Sequence, residues 1–355
     1  MVVHFALLLI ILLLLGCKCK EGYRENIFLP ISVILLGLYW MLMYDYGLDY
    51  WSYYQILNYD PHYGDEKGEP FFWNLFYASP NYFLFVGFYA IVVSCSIYYL
   101  VKNNISPNYY AFFFLIYLLH PSLCLNMTYV FRSAMGSCIV WFALSRFYVW
   151  KVNYIYLYIL FAIAALFHHS LALCFLLPIA CYFLEKIPGP LIFASLIGAL
   201  FLGVTQSMEL FVSLIGGMDS FEEYAHYGEE RIKDASFVMI ASRALHLIPA
   251  YVILYYRGTN EYTKRLSGIC MFYYIVYFMG FDMLGRLTMM LYVFVIICIV
   301  MMAENKGWIQ KILLLFPSFL FAAYRNVMFY LEMASSYEGD PGNMLEYKSI
   351  FSIIF

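Results

Sequence analysis

The chain alternates between long apolar runs and short polar connections. Many of the runs reach the roughly 20 apolar residues that an α-helix needs to cross a bilayer. They predict an all-α, polytopic membrane protein that forms one domain over residues 1–355. Twelve spans fit the pattern, at about 1–16, 27–43, 82–101, 109–126, 133–149, 152–167, 170–184, 190–207, 237–256, 267–282, 286–303 and 312–330.

The first apolar run, MVVHFALLLIILLLLG, is interpreted as a retained membrane helix rather than a signal peptide. A signal peptide carries its basic residues before the apolar core. Here Lys18, Lys20 and Arg24 follow the core. We therefore expect the helix to start on the outer side of the membrane.

Composition supports a lipid environment. The chain is 64% hydrophobic and 12% charged, whereas a soluble domain carries about 25% charged residues. The nine cysteines form no CxxC pair and lie mostly in apolar runs, which favours buried, inert thiols. No dense cluster of metal ligands stands out, so no metal is expected. Neither a cofactor nor a nucleic-acid partner is expected.

The basic residues lie mainly in one set of alternate connections. That set holds 12 of the 20 Lys and Arg residues and only five acids, whereas the other set holds 18 acids and 8 bases. The positive-inside rule makes the first set cytoplasmic. Both termini and the two larger connections, 44–81 and 208–236, are then predicted to be extracytoplasmic.

The first large connection contains YDYGLDYWSYYQ and GEPFFW. Aromatic rings stack on the apolar faces of sugars, and carboxylates accept hydrogen bonds from their hydroxyls, so this outward segment suits a carbohydrate. An interfacial belt of Tyr and Trp is the alternative. The acids Asp45, Asp49 and Glu69 are harder to explain as a belt.

Four arginines lie at the outer ends of apolar spans, against the positive-inside bias: Arg132, Arg243, Arg286 and Arg325. Arg presents a planar set of donors that matches phosphate oxygens, so the four suggest an outward pocket for a lipid-linked phosphate. The alternative is a set of snorkelling or ion-paired helix ends. Asp282, four residues before Arg286, is one such partner.

Histidines provide candidate proton acceptors. The motif FHHSLAL places His168, His169 and Ser170 between two spans on the outer side, and His246 follows Arg243 by three residues. Histidine titrates near neutrality and acts as a base or a phosphate partner. A structural histidine at the interface is the alternative, and no GxSxG motif indicates a hydrolase.

Taken in order, several motifs give the chain a resemblance to the EpsG-like branch of the Wzy-type polysaccharide polymerases. They cover nearly the whole chain, with Ser133 standing where that family usually has glutamine. The matching motifs are GLDYWSY with Asp49, GEPFF with Glu69, FRSAMG with Arg132, FHHS with His168 and Ser170, GRLTMMLY with Arg286, and YKSIF near the end.

This resemblance implies a membrane glycosyltransferase with a GT-C-like architecture. Such an enzyme joins undecaprenyl-diphosphate-linked oligosaccharide repeat units at the outer face of the bacterial inner membrane, without a cofactor. Its expected partners are that lipid-linked substrate, membrane lipid, and the chain-length regulator and flippase of the same pathway. The expected catalytic residues are His168, Asp49, Arg132 and Arg286; the expected substrate-binding residues are Glu69, Tyr50, Tyr53, Arg243, Arg325, His169 and His246.

In the expected reaction, a hydroxyl of one repeat unit attacks the anomeric carbon of the growing chain, and arginines stabilise the departing diphosphate. Either His168 or Asp49 is the expected base. A flippase for the same lipid is the main alternative, although transporters place charges on both membrane halves. An O-antigen ligase or an acyltransferase is a third reading.

Overall fold

A computed structural model describes residues 2–17, 22–44, 49–60, 63–64, 69–121, 123–124, 126–128, 130–205, 243–257, 261–279, 285–304 and 306–336. The elements within these ranges are helices, which agrees with the predicted all-α class. The predicted 208–236 loop lies outside the described residues. Two compact units divide the chain, one formed by Met1–Phe175 with Ala322–Phe355 and the other by Leu176–Phe321.

The first unit contains eight α-helices that precede the boundary at Phe175 among its described residues. The helices are α1 (Val2–Gly16), α2 (Leu29–Met41), α3 (Tyr50–Tyr59), α4 (Pro70–Tyr77), α5 (Tyr82–Asn104), α6 (Tyr110–Leu119), α7 (Phe131–Leu144) and α8 (Tyr154–Phe167). Helix α7 packs against α8 and α5, α2 packs against α5, α1 packs against α6, and α4 packs against α8.

Helix α5, with 23 residues, has a clear sequence signal at each end. The Asn81 side chain accepts a hydrogen bond from the backbone N–H of Leu84 at 2.9 Å, which satisfies one of the unpaired donors of the first turn. Lys102 lies in the last turn, where a cation interacts favourably with the helix dipole. At 1.5 Å per residue, its 23 residues extend about 35 Å, enough to cross a bilayer.

Small residues let α7 approach α8 closely. A Cβ atom placed on Gly136 would lie 3.1 Å from the carbonyl oxygen of Ala164 and 2.2 Å from a methyl carbon of Leu171. Because Gly136 has no side chain, α7 can pack this closely against α8. The contact holds the start of α7, with Arg132, beside the end of α8, with His168.

The second unit is built around one central helix. Its helices are α9 (Leu177–Lys186), α10 (Gly189–Val204), α11 (Leu247–Tyr255), α12 (Glu261–Met279) and α13 (Gly285–Glu304), and α14 (Trp308–Ser336) begins in this unit. The central helix is α12, which packs against α9, α10, α11 and α13. Gly203 of α10 lies so close to α12 that a Cβ atom would be 2.0 Å from the carbonyl oxygen of Phe278.

Four helical segments among the described residues are long and apolar enough to cross a membrane: Tyr82–Asn104, His169–Lys186, Leu287–Glu304 and Trp308–Leu331. They correspond to the predicted spans 82–101, 170–184, 286–303 and 312–330. Shorter apolar helices include Val2–Gly16, Pro107–Leu119, Tyr154–Phe167 and Gly189–Val204. The membrane class agrees with the sequence, whereas the count of twelve spans, the single domain and the GT-C-like architecture stay predictions.

Candidate functional site

A buried carboxylate, Glu69, lies at the centre of the candidate site. Glu69 is the residue before α4, and Pro70 occupies the first helical position, where its missing N–H costs no hydrogen bond. The buried face of α4, formed by Phe72, Trp73 and Phe76, anchors the helix in an aromatic cluster. Glu69 is fully buried, so its charge requires partners inside the protein.

The first partner of Glu69 is Arg132, at the start of α7. Its Nη1 donates to Oε2 of Glu69 at 2.7 Å, and its Nε donates to the hydroxyl oxygen of Tyr53 at 3.2 Å. The guanidinium also lies 5.6 Å from the ring centre of Trp73. About a quarter of the Arg132 side chain stays exposed, so the group is both held and accessible.

The other partners are the two histidines that follow α8. The Nδ1 atoms of His168 and His169 lie 2.5 Å and 3.0 Å from the same oxygen, Oε1 of Glu69. The backbone N–H of His169 donates to this oxygen at 3.4 Å. A carboxylate only accepts hydrogen bonds, so both rings carry a proton on Nδ1, and Nε2 is the basic nitrogen of each neutral ring.

Exposure distinguishes the two histidines. His168 is buried, with 2% of its side chain exposed, whereas 56% of the His169 side chain is exposed. Glu69 therefore orients one ring inside the protein and one ring at its surface. Only the second is directly accessible to a large substrate.

These contacts keep Glu69 ionised. Burial alone would raise its pKa, but the hydrogen bond from His168 and the charge of Arg132 outweigh burial and lower the pKa to about 2. Burial likewise raises the pKa of Tyr53 to about 12, although Arg132 acts in the opposite direction. At neutral pH the cluster thus contains one carboxylate, one guanidinium and a neutral phenol.

Comparison with known proteins yields one match. The model of the EpsG family matches residues 26–349. The chain belongs to the EpsG family. Neither a curated protein nor a solved structure matches it. The resemblance stated from the motifs is confirmed, and with the apolar helices it identifies a membrane protein of the polysaccharide-polymerase type, glycosyltransferase-like at a coarse level.

In this EpsG-family protein, five of the predicted site residues meet at one place although they lie far apart in sequence. They are Tyr53, Glu69, Arg132, His168 and His169. Helices α3, α4, α7 and the end of α8 supply them, all within the first unit.

Two more predicted residues lie at the start of α3, close to the cluster. Asp49 immediately precedes the helix, and its charge adds to the effect of burial in raising the pKa of Tyr53. Tyr50 is buried and packs edge-on against Tyr82 at 5.0 Å. The ring of Tyr50 therefore supports the aromatic cluster that holds α3 in place.

The remaining predicted residues belong to other parts of the chain. Arg325 is exposed on α14, in the part of that helix that belongs to the first unit. The side chain of Arg286 lies outside the described part of the chain, as does Asp282. Arg243 and His246 belong to the second unit, where the buried ring of His246 packs 3.8 Å from that of Phe321.

Sequence reasoning did not select Trp73, although its motif was noted. Its backbone N–H donates to the carbonyl oxygen of Glu69 at 3.2 Å, and its ring lies beside Arg132 and 5.5 Å from Tyr63. The sequence does indicate this contact, because Trp73 follows Glu69 by four residues and a helix puts such residues on the same side of its first turn.

The same cluster has the composition of a metal site. Ligand atoms of Glu69, His168 and His169 lie within 4.8 Å of one another. A divalent cation would have to displace both Nδ1 protons and share the carboxylate with the guanidinium of Arg132. The arrangement therefore suits a carboxylate that orients two imidazoles better than it suits a metal-binding site.

Proposed function

We propose that this protein polymerises undecaprenyl-diphosphate-linked oligosaccharide repeat units into a surface polysaccharide, such as an O-antigen, a capsule or an exopolysaccharide. The site would face the periplasm or exterior from the bacterial inner membrane. The observation that carries the proposal is the set of contacts made by the Glu69 carboxylate. It binds the guanidinium of Arg132, a group that suits phosphate, and the imidazoles of two histidines.

In this proposal Arg132 binds the diphosphate of the donor. Its described contacts use two of the five N–H donors of a guanidinium. Those left can bind phosphate oxygens, and Arg132 keeps part of its surface exposed for this purpose. The ion pair with Glu69 limits rotation of the Arg132 guanidinium, so its N–H donors are oriented before the substrate binds.

His169 acts as the general base in the proposed reaction. The acceptor hydroxyl transfers its proton to Nε2 of His169, and its oxygen attacks the anomeric carbon of the donor sugar. The bond from that carbon to the diphosphate oxygen breaks, and its electron pair leaves with the diphosphate. A direct displacement of this kind inverts the anomeric centre.

Glu69 has a positioning role in this scheme. It holds His169 by Nδ1, and its low pKa keeps it ionised as His169 takes up the proton. The resulting imidazolium is then stabilised by the carboxylate, as in other carboxylate–histidine pairs. His168 shares the same oxygen and fixes the carboxylate from the buried side. Asp49 is the alternative base.

The wider site follows from the predicted topology. Arg243, Arg286 and Arg325 are proposed to add positive charge toward the lipid-linked phosphates, and Tyr50 and His246 to support the substrate-binding surface. The chain-length regulator and the flippase of the same pathway are proposed partners. The rival function, a flippase, predicts a different phenotype.

A test compares surface glycan in cells with and without the gene, and in cells that carry His169→Ala. A polymerase predicts loss of long polymer with single repeat units retained at the surface. A flippase predicts total surface loss with lipid-linked units accumulating inside. The proposal fails if the deletion strain makes polymer of normal length.

A further inference from the structure

An apolar groove runs between α2 and α5 in the first unit, and none of the residues of the Glu69 cluster lines it. Its volume is about 400 Å³, within the range of roughly 300–1,000 Å³ for sites that bind small ligands. Its lining comes from one face of each helix: Pro30, Val33, Ile34, Gly37, Leu38 and Met41 on α2, and Ala90, Ile91, Ser94, Cys95 and Tyr98 on α5.

Small residues form the floor of this groove. Gly37 lies so close to α5 that a Cβ atom would be 2.7 Å from Oγ of Ser94, and Ala90 and Ser94 are buried. Large apolar side chains rise on both sides, with Ile34 59% exposed and Ile91 58% exposed. On a helix long enough to span a membrane, such a surface is solvated by hydrocarbon rather than by water.

One end of the groove carries a positive charge. Tyr98 lines this end, and its hydroxyl oxygen accepts a hydrogen bond from Nζ of Lys102 at 3.1 Å. Arg24 lies in the helical segment that leads to Pro30, but its guanidinium donates to the carbonyl oxygen of Cys17 and to Oδ1 of Asn108. Glu25, beside it, interacts electrostatically with Lys102. The ammonium of Lys102 therefore lies beside Tyr98, at this end of the groove lining.

We propose that this groove binds one acyl chain of an anionic phospholipid whose phosphate pairs with Lys102. The chain would extend along α2 from Pro30 toward Met41, a distance of about 16 Å at 1.5 Å per residue. Bulk lipid is as apolar as the groove, so burial of the chain alone gives little preference. The charged end selects the lipid, because a basic residue near the surface attracts anionic headgroups.

The position of the groove favours this occupant over the tail of the proposed substrate. The groove uses residues 90–98 of α5, on the side of the helix centre that leads to Lys102 in the last turn. The predicted topology puts that end at the cytoplasmic face, opposite the proposed polymerisation site. This comparison with the substrate tail rests on the proposed function, whereas the groove itself uses none of the residues of the Glu69 cluster.

Cys95 provides a direct test, because it lines the groove and is exposed. A maleimide–diazirine crosslinker is attached to Cys95 after Cys17 and Cys19 are replaced by serine. The purified protein is placed in nanodiscs of equal phosphatidylglycerol and phosphatidylethanolamine, and the captured lipid is identified by mass spectrometry. We expect phosphatidylglycerol to be captured about fivefold more often.

Lys102→Glu should abolish this preference, and Lys102→Gln should reduce it. Lys186→Glu is the matched control, because Lys186 pairs with Tyr182 four residues earlier at the end of another helix but does not line the groove. Equal capture of both lipids, a preference unchanged by Lys102→Glu, or no capture at all would overturn the proposal. Capture of added undecaprenyl diphosphate, or of a second copy of the chain, would replace the phospholipid as the occupant.

Discussion

Glu69→Gln tests the central claim that one buried carboxylate organises the candidate site. Glutamine keeps the size of glutamate but removes its charge and presents an NH₂ group where an acceptor is needed. One of the contacts to Arg132 or to the two histidines must then be lost. The guanidinium of Arg132 would also lose its counter-ion.

The magnitude follows from the pKa of Glu69. Its pKa falls from an ordinary 4.5 to about 2 in the folded protein, and at 1.36 kcal/mol per unit this corresponds to about 3 kcal/mol of stability. Truncating one partner of a buried ion pair costs a similar ~3–5 kcal/mol. Because the folded pKa is depressed, this contribution is complete above about pH 4.5 and is lost as the pH falls toward 2.

The assay is unfolding of the purified protein in detergent, followed by tryptophan fluorescence at pH 7 and at progressively lower pH. Trp73 lies beside Arg132 and reports on the site. Glu261→Gln is the matched control, because Glu261 pairs with Arg265 on the same helix but is 80% exposed. An ion pair with one partner this exposed to water contributes only ~0–1 kcal/mol.

We expect Glu69→Gln to lose about 3 kcal/mol at pH 7, and the difference from wild type to shrink below pH 4.5. Two results would refute the reasoning. One is a Glu69→Gln protein as stable as Glu261→Gln at pH 7. The other is a deficit of unchanged size across the acid range, which would locate the effect in packing rather than in charge.

Three further predictions follow. Arg132→Lys should retain little more polymer than Arg132→Ala, with synthesis reduced about a hundredfold, as measured by glycan gels. Tyr53→Phe should reduce synthesis less than Arg132→Ala, because it removes only the hydroxyl that accepts from Arg132. Gly136→Val should destabilise the α7–α8 contact by about 1–3 kcal/mol in thermal unfolding, whereas Gly198→Val, with open space around it, should add no clash.

The sequence by itself determined the class of the protein. Runs of apolar residues without charges cannot remain in water, and in lipid the backbone must satisfy its own hydrogen bonds, so the all-helical membrane class follows from composition and pattern. The ordered motifs also sufficed to name the family, which the match over residues 26–349 confirms.

The sequence also identified most residues of the candidate cluster but not their arrangement. Glu69, Arg132, His168 and His169 were all selected, yet Glu69 was expected to bind sugar. In the structure it is fully buried and holds the other three. Contacts between residues 63 to 100 positions apart depend on how helices pack, and no local pattern records them.

Only the tertiary structure distinguished His168 from His169. The two are consecutive residues of the same type, but the chain at the end of α8 directs one ring inward and the other outward. The close approach of α7 at Gly136 brings Arg132 to the same carboxylate. Burial and contact are properties of packing, and the role of each side chain at this site follows from them.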